Sequence, residues 1–131
     1  EIQKIYNLFS KNRNQICLMH CVSSYPTLDK NANINRLKSL SKISKYVLGY
    51  SDHTTNNISG AYAFALGARF FEKHFTVNKK LKGPDHKMSI TPRELFSYKK
   101  NLLEAKEILG DSKFYLLECE KFIFKNVRRR N

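Results

Sequence analysis

Two histidines in matching surroundings carry most of the chemistry this sequence offers. His53 stands in Gly49-Tyr50-Ser51-Asp52-His53-Thr54, and His74 stands in Glu72-Lys73-His74-Phe75. Each falls just past the end of a short apolar run. A neutral imidazole is a common metal ligand, and a nearby carboxylate often fixes its tautomer. Asp52 and Glu72 are close enough in sequence for that supporting role. Two nitrogens, with other positions left to water and substrate oxygens, suit Mn²⁺ or Mg²⁺ better than a closed zinc site. His20 and Cys21 are further candidate ligands. The plainer alternative is a pair of histidines satisfied by hydrogen bonds near a core.

Other groups sit at equivalent places. Ser23, Ser24 and Ser51 are small hydroxyl donors that, with backbone N–H groups, would bind a phosphate or carboxylate; loop and cap chemistry is the alternative. No serine lies in a nucleophile elbow, which argues against covalent serine catalysis. Tyr25, before Pro26, offers a ring and a hydroxyl to a ligand, or simply packs. Asp85, in the turn Gly83-Pro84-Asp85, is a turn former or a carboxylate that grips sugar hydroxyls. Lys73 is placed to pair with an anionic substrate or with Glu72.

These residues need elements to hold them. Ile2, Ile5, Tyr6 and Phe9 have helical spacing, and Asn12 to Asn14 break that helix. Ile16-Cys17-Leu18-Met19 is a continuous apolar run, as in a strand covered on both faces. Ile34, Leu37, Leu40 and Ile43 predict a second helix. A strand over Tyr46 to Tyr50 and an alanine-rich helix over Ile58 to Leu66 follow, with Gly67 placed to stop the helix. Arg69-Phe70-Phe71 opens a third strand. Thr91-Pro92-Arg93-Glu94 is a capping box with proline at the first helical position. Its helix carries Leu95, Leu102 and Leu109 at heptad spacing, and Gly110 ends it.

Strands alternating with helices predict a parallel sheet. Two architectures accommodate it: part of a (β/α)₈ barrel, or part of an open doubly wound sheet. Polar residues at all three strand ends favour the barrel, where every strand's C-terminal end faces the site. An open sheet gathers ligands at a switch point, and its glycine fingerprint is missing. Three strands are less than half of a barrel of about 250 residues. The chain opens on Glu1 and closes on Arg128-Arg129-Arg130-Asn131, which reads as a fragment ending in a linker.

The 131 residues carry 24 basic and 11 acidic side chains, a formal charge of +13. Such a field attracts anions generally. The basic residues are spread along the chain rather than interleaved with aromatics, so nucleic acid is not the expected partner. Cys17, Cys21 and Cys119 are odd in number and irregular in spacing, which argues against a disulfide framework. No apolar run approaches the roughly 18 residues of a membrane span, and no signal peptide is present, so a cytoplasmic location is expected.

Five motifs recur in a familiar order. They are His20-Cys21-Val22-Ser23-Ser24-Tyr25-Pro26, Gly49-Tyr50-Ser51-Asp52-His53-Thr54, Ala65-Leu66-Gly67-Ala68, Glu72-Lys73-His74-Phe75-Thr76 and Gly83-Pro84-Asp85-His86. Together they resemble the sialic acid synthase (N-acetylneuraminate synthase) family over about residues 1–110. The resemblance implies the C-terminal portion of a (β/α)₈ barrel, about strands six to eight. It implies condensation of phosphoenolpyruvate with N-acetylmannosamine or a related amino sugar, giving a nine-carbon 2-keto sugar acid and phosphate. It also implies that His53 and His74 bind Mn²⁺ or Mg²⁺, that Ser51 contacts the phosphate with Ser23 beside it, and that Tyr25 and Asp85 hold the acceptor. Residues 111–131 would lead to an antifreeze-like domain, and the full-length parent would be a homodimer. The family's early-strand glutamate and lysines have no counterpart here, so these residues alone are expected to be inactive. A half-barrel that only binds a ligand or partner is the competing reading.

Overall fold

The computed structural model describes residues 2–9 and 15–127. The side chain of Tyr6, the break at Asn12 to Asn14 and the terminal arginines lie outside what is described. Three parallel strands, β1 (Cys17–Cys21), β2 (Val47–Asp52) and β3 (Ala68–Lys73), form one sheet in the order β1-β2-β3. The helices are α1 (Ile2–Leu8), α2 (Arg36–Ile43), α3 (Ser59–Ala65), α4 (Pro92–Leu109) and α5 (Glu118–Val127). The predicted alternation is therefore present, with the first strand starting one residue later than its apolar run suggests.

Strand alternation sorts the sheet into two unlike faces. Leu48, Tyr50 and Ala68 turn to one side and pack with Leu37 and Ala63, with Leu18, Leu40, Leu66 and Phe71 around them. The other face carries Cys17, Met19, Gly49 and Phe70. Phe70 there is 56% exposed. The sheet is thus covered by helices on one face and open on the other, where the sequence predicts cover on both.

Local signals explain where the helices start and stop. Asn56 Oδ1 accepts from the N–H groups of Ile58 and Ser59, which satisfies two backbone donors where α3 begins. Gly67 follows α3 at φ 99°, a left-handed value that glycine adopts without strain. α4 begins at the predicted capping box, with Thr91 as its N-cap. Its buried face is centred on Tyr98, with Asn101, Leu102 and Ala105 partly covered; Leu95 and Leu109 are exposed, so the heptad of leucines does not mark the packed side. Tyr98 lies directly on Gly60, where a methyl group would stand 2.3 Å from the phenol oxygen. α5 lies within the stretch read from sequence as a linker. Its apolar residues Phe122, Ile123 and Phe124 are consecutive and exposed, so no buried stripe announces it.

Glu94 gives the fold an acid-sensitive contact. It accepts from Lys79 Nζ at 2.7 Å and from the Thr91 N–H at 2.8 Å. Those bonds, the lysine's first, pull its pKa from 4.5 to about 2. The unfolded state therefore takes up the proton first as pH falls, so the stabilisation is full above 4.5 and gone below about 2. Glu94→Gln is expected to lower stability by about 1 kcal/mol at pH 6. Urea unfolding as a function of pH should show that deficit closing between pH 4.5 and 2; a constant difference would count against the account.

Candidate functional site

The C-terminal ends of β2 and β3 bring the two histidines together. The pairing sets Ser51 against Glu72 and Asp52 against Lys73, so His53 and His74 leave the sheet side by side. Their ring centroids are 5.1 Å apart. Loops fix the backbone at both places. The Thr27 N–H donates to the His53 carbonyl at 2.8 Å, and the Ile90 N–H donates to the His74 carbonyl at 2.8 Å.

Residues from the neighbouring loops close around this pair. The Tyr25 ring meets His53 edge-on at 4.4 Å and His74 at 5.9 Å. Asp85 Oδ2 lies 3.7 Å from His74 Nδ1. Its own carbonyl accepts from Met88 N, Ser89 N and Ser89 Oγ, which ties the loop down behind it. Cys21 Sγ is 3.7 Å from His53 Nδ1. Ser51 Oγ donates to Glu72 Oε1 at 2.7 Å, two residues before each histidine and on the same face. Ser23 is exposed in the loop after β1.

Burial lowers the pKa of His53, and the neighbouring His74 lowers it further; the charge of Glu72 pulls it partly back. The neutral imidazole, the form that ligates metal, is therefore favoured. Among the described residues, no three His, Cys, Asp or Glu side chains are grouped to hold a metal ion. The convergent donors are the two imidazoles, with Cys21 and Asp85 flanking them.

Several sequence-based expectations point the wrong way. His20 turns to the helix-covered side, where its Nε2 donates to the Ala32 carbonyl at 2.8 Å and its ring stacks on Tyr50. Asp52 does not support an imidazole. It is buried behind the sheet and accepts from the Thr54 N–H at 2.9 Å and the Thr54 hydroxyl at 2.8 Å. Lys73 pairs with Asp52 at 3.0 Å rather than with Glu72 or an open site. Burial lowers its pKa, and Asp52 opposes that shift. This buried pair was missed. Its signal lay in the sequence: each histidine follows a charged residue, the two charges are opposite, and each charged residue is the last of its strand.

Comparison with known proteins bears on the family and the fold. The NeuB family model matches residues 1–114. The N,N'-diacetyllegionaminic acid synthase of Campylobacter jejuni is 39% identical over 114 residues, covering 85% of this chain and 34% of that protein. The mouse N-acetylneuraminate-9-phosphate synthase is 31% identical over 120 residues, covering 91% of this chain and 33% of that protein. A crystal structure of the N-acetylneuraminic acid (sialic acid) synthetase of Leptospira borgpetersenii, in complex with citrate, superposes with a TM-score of 0.85. It is 32% identical and covers 98% of this chain and 46% of that one. The chain spans about a third of the length of the curated relatives it matches. With a family model over most of its length and an α/β parallel-sheet fold shared with a sialic acid synthetase, the chain belongs to the NeuB family.

Proposed function

We propose that this chain forms about strands six to eight of a (β/α)₈ barrel that condenses phosphoenolpyruvate with an N-acetylated amino sugar. The observation that carries the reading is the meeting of His53 and His74 on the open side of the sheet, with Tyr25 and Asp85 beside them. The pair fits a divalent cation such as Mn²⁺ or Mg²⁺: two adjacent imidazoles, one biased to its neutral form, with room left for oxygen ligands. A cation held there would supply Lewis-acid polarisation of the acceptor's carbonyl oxygen.

The chain's own residues would do the rest of the positioning. The Tyr25 ring walls one side of the imidazole pair. Asp85 is partly exposed at the rim, where its carboxylate can accept hydrogen bonds from sugar hydroxyls. Ser51 reaches a phosphate oxygen only by turning its hydroxyl away from Glu72. Ser23 lies in the neighbouring loop, exposed to a ligand on that side. The reaction joins C3 of phosphoenolpyruvate to the acceptor's carbonyl carbon; water adds at C2, and phosphate departs with C–O cleavage. The open sheet face leaves room for the strands that would supply the remaining groups.

Phosphate release from phosphoenolpyruvate, with N-acetylmannosamine or a diacetamido sugar and Mn²⁺, tests the proposal. A protein containing this chain within all eight strands is expected to release phosphate and form a 2-keto acid. The 131 residues alone are expected to form none. An eight-stranded protein that binds Mn²⁺ and phosphoenolpyruvate but releases no phosphate would instead support a binding module.

A further inference from the structure

We infer that Asp52 and Lys73 are positioning residues, and that their buried ion pair sets the spacing and aim of His53 and His74 on the opposite side of the sheet. Each immediately precedes one of the histidines, and the two are partners in the β2–β3 register. Successive strand residues face opposite ways, so one peptide step separates the ion pair from the imidazoles. A tie between Asp52 and Lys73 is therefore a tie between the two strand ends where the histidines leave the sheet.

The pair does more than join the strands. Asp52 Oδ1 accepts from the N–H and hydroxyl of Thr54, the residue after His53. Ser59, at the start of α3, donates its hydroxyl to Asp52 Oδ2. Lys73 Nζ donates to the Thr54 carbonyl at 2.6 Å. The backbone is thus held on both sides of His53, and the same ammonium leads directly into His74. The Tyr98 ring of α4 lies 5.3 Å from Nζ and closes the cluster from behind. The Asp52 and Lys73 side chains are 0% and 5% exposed.

Stability alone is a poor reason to keep such a pair. A buried ion pair is often no better than apolar residues of the same volume, and its best-attested use is to fix one arrangement among several. Small misplacements at a reacting centre are costly, so a device that fixes two ligands relative to each other has a function here. The functional consequence rests on the two-histidine reading above, but the geometric claim does not.

The test compares the full chain with an Asp52→Asn, Lys73→Met double variant, which keeps volume and removes both charges. Two readouts are taken: affinity for Mn²⁺ alone by electron paramagnetic resonance, and metal-free ring-to-ring nuclear Overhauser contacts among Tyr25, His53 and His74. The variant is expected to keep its circular-dichroism signal, to lose roughly 10- to 100-fold in Mn²⁺ affinity, as for other residues behind a metal ligand, and to show weakened ring contacts. Lys73→Arg, with Asp52 kept, should recover part of both. Parent-like affinity and ring contacts in the double variant would overturn the inference. So would loss of its native fold, since the pair would then serve stability, or absence of the ring contacts in the parent. If the parent shows the contacts but binds no Mn²⁺, the metal reading fails, and the contacts alone still decide the positioning role.

Discussion

Replacing both His53 and His74 with alanine is expected to abolish Mn²⁺ binding. The loss should exceed the roughly 100-fold cost of removing a residue that only supports a ligand, because no other described side chains converge at that point. Cys21 and Asp85 flank the rings at 3.7 Å but do not complete a set of three. Each single variant should retain weak binding through the remaining nitrogen. Neither imidazole belongs to the apolar cluster between sheet and helices, so circular dichroism should stay native in all three. In an eight-stranded protein, phosphate release should fall in parallel with metal affinity. Mn²⁺ titration followed by electron paramagnetic resonance checks this directly, and parent-like binding in the double variant would sink the two-histidine site.

The second large effect concerns stability. Asp52→Ala should cost about 3–5 kcal/mol, the penalty for leaving one member of a buried ion pair uncompensated. That is a large share of the roughly 5–15 kcal/mol that holds a typical domain folded. The substitution strands the Lys73 ammonium, which is 5% exposed, and removes the acceptor for Thr54 and Ser59. Burial already lowers the lysine's pKa, and Asp52 is the main force opposing that. In the variant the unfolded state holds the proton more tightly than the folded one. Stability then rises with pH, so the deficit shrinks as pH climbs toward the lysine's ordinary 10.5. Urea unfolding at pH 7 and 9.5 would show it. A deficit below about 1 kcal/mol, the size of an ordinary substitution, would contradict the assignment.

Much of the scaffold was legible because its signals are local. The capping box at Thr91 and Glu94 and the stop at Gly67 depend on a few adjacent residues, and they stand where the sequence put them. The strand ends that place His53 and His74 together were legible for a similar reason: an apolar run followed by a polar residue marks a boundary. The packed face of α4 was not, because the leucine spacing is satisfied equally by an exposed stripe. Tyr98 faces inward because Gly60 leaves room for its ring, and nothing near Tyr98 in the sequence says so.

The sequence by itself determined the order of strands and helices as far as α4, the family, and the two histidines at neighbouring strand ends. Tertiary structure alone decided which way each side chain between them points. Pairing steps from Leu48–Ala68 to Gly49–Phe70 and passes over Arg69, so the faces of β3 are set by its neighbour rather than by counting along the strand. A slip of one residue exchanges the two faces. That step puts Glu72 with Ser51 beside the histidines and sends Lys73 to Asp52 behind them. Side-chain direction in a strand depends on register with another strand, and register is a long-range property that residue types in one segment do not encode.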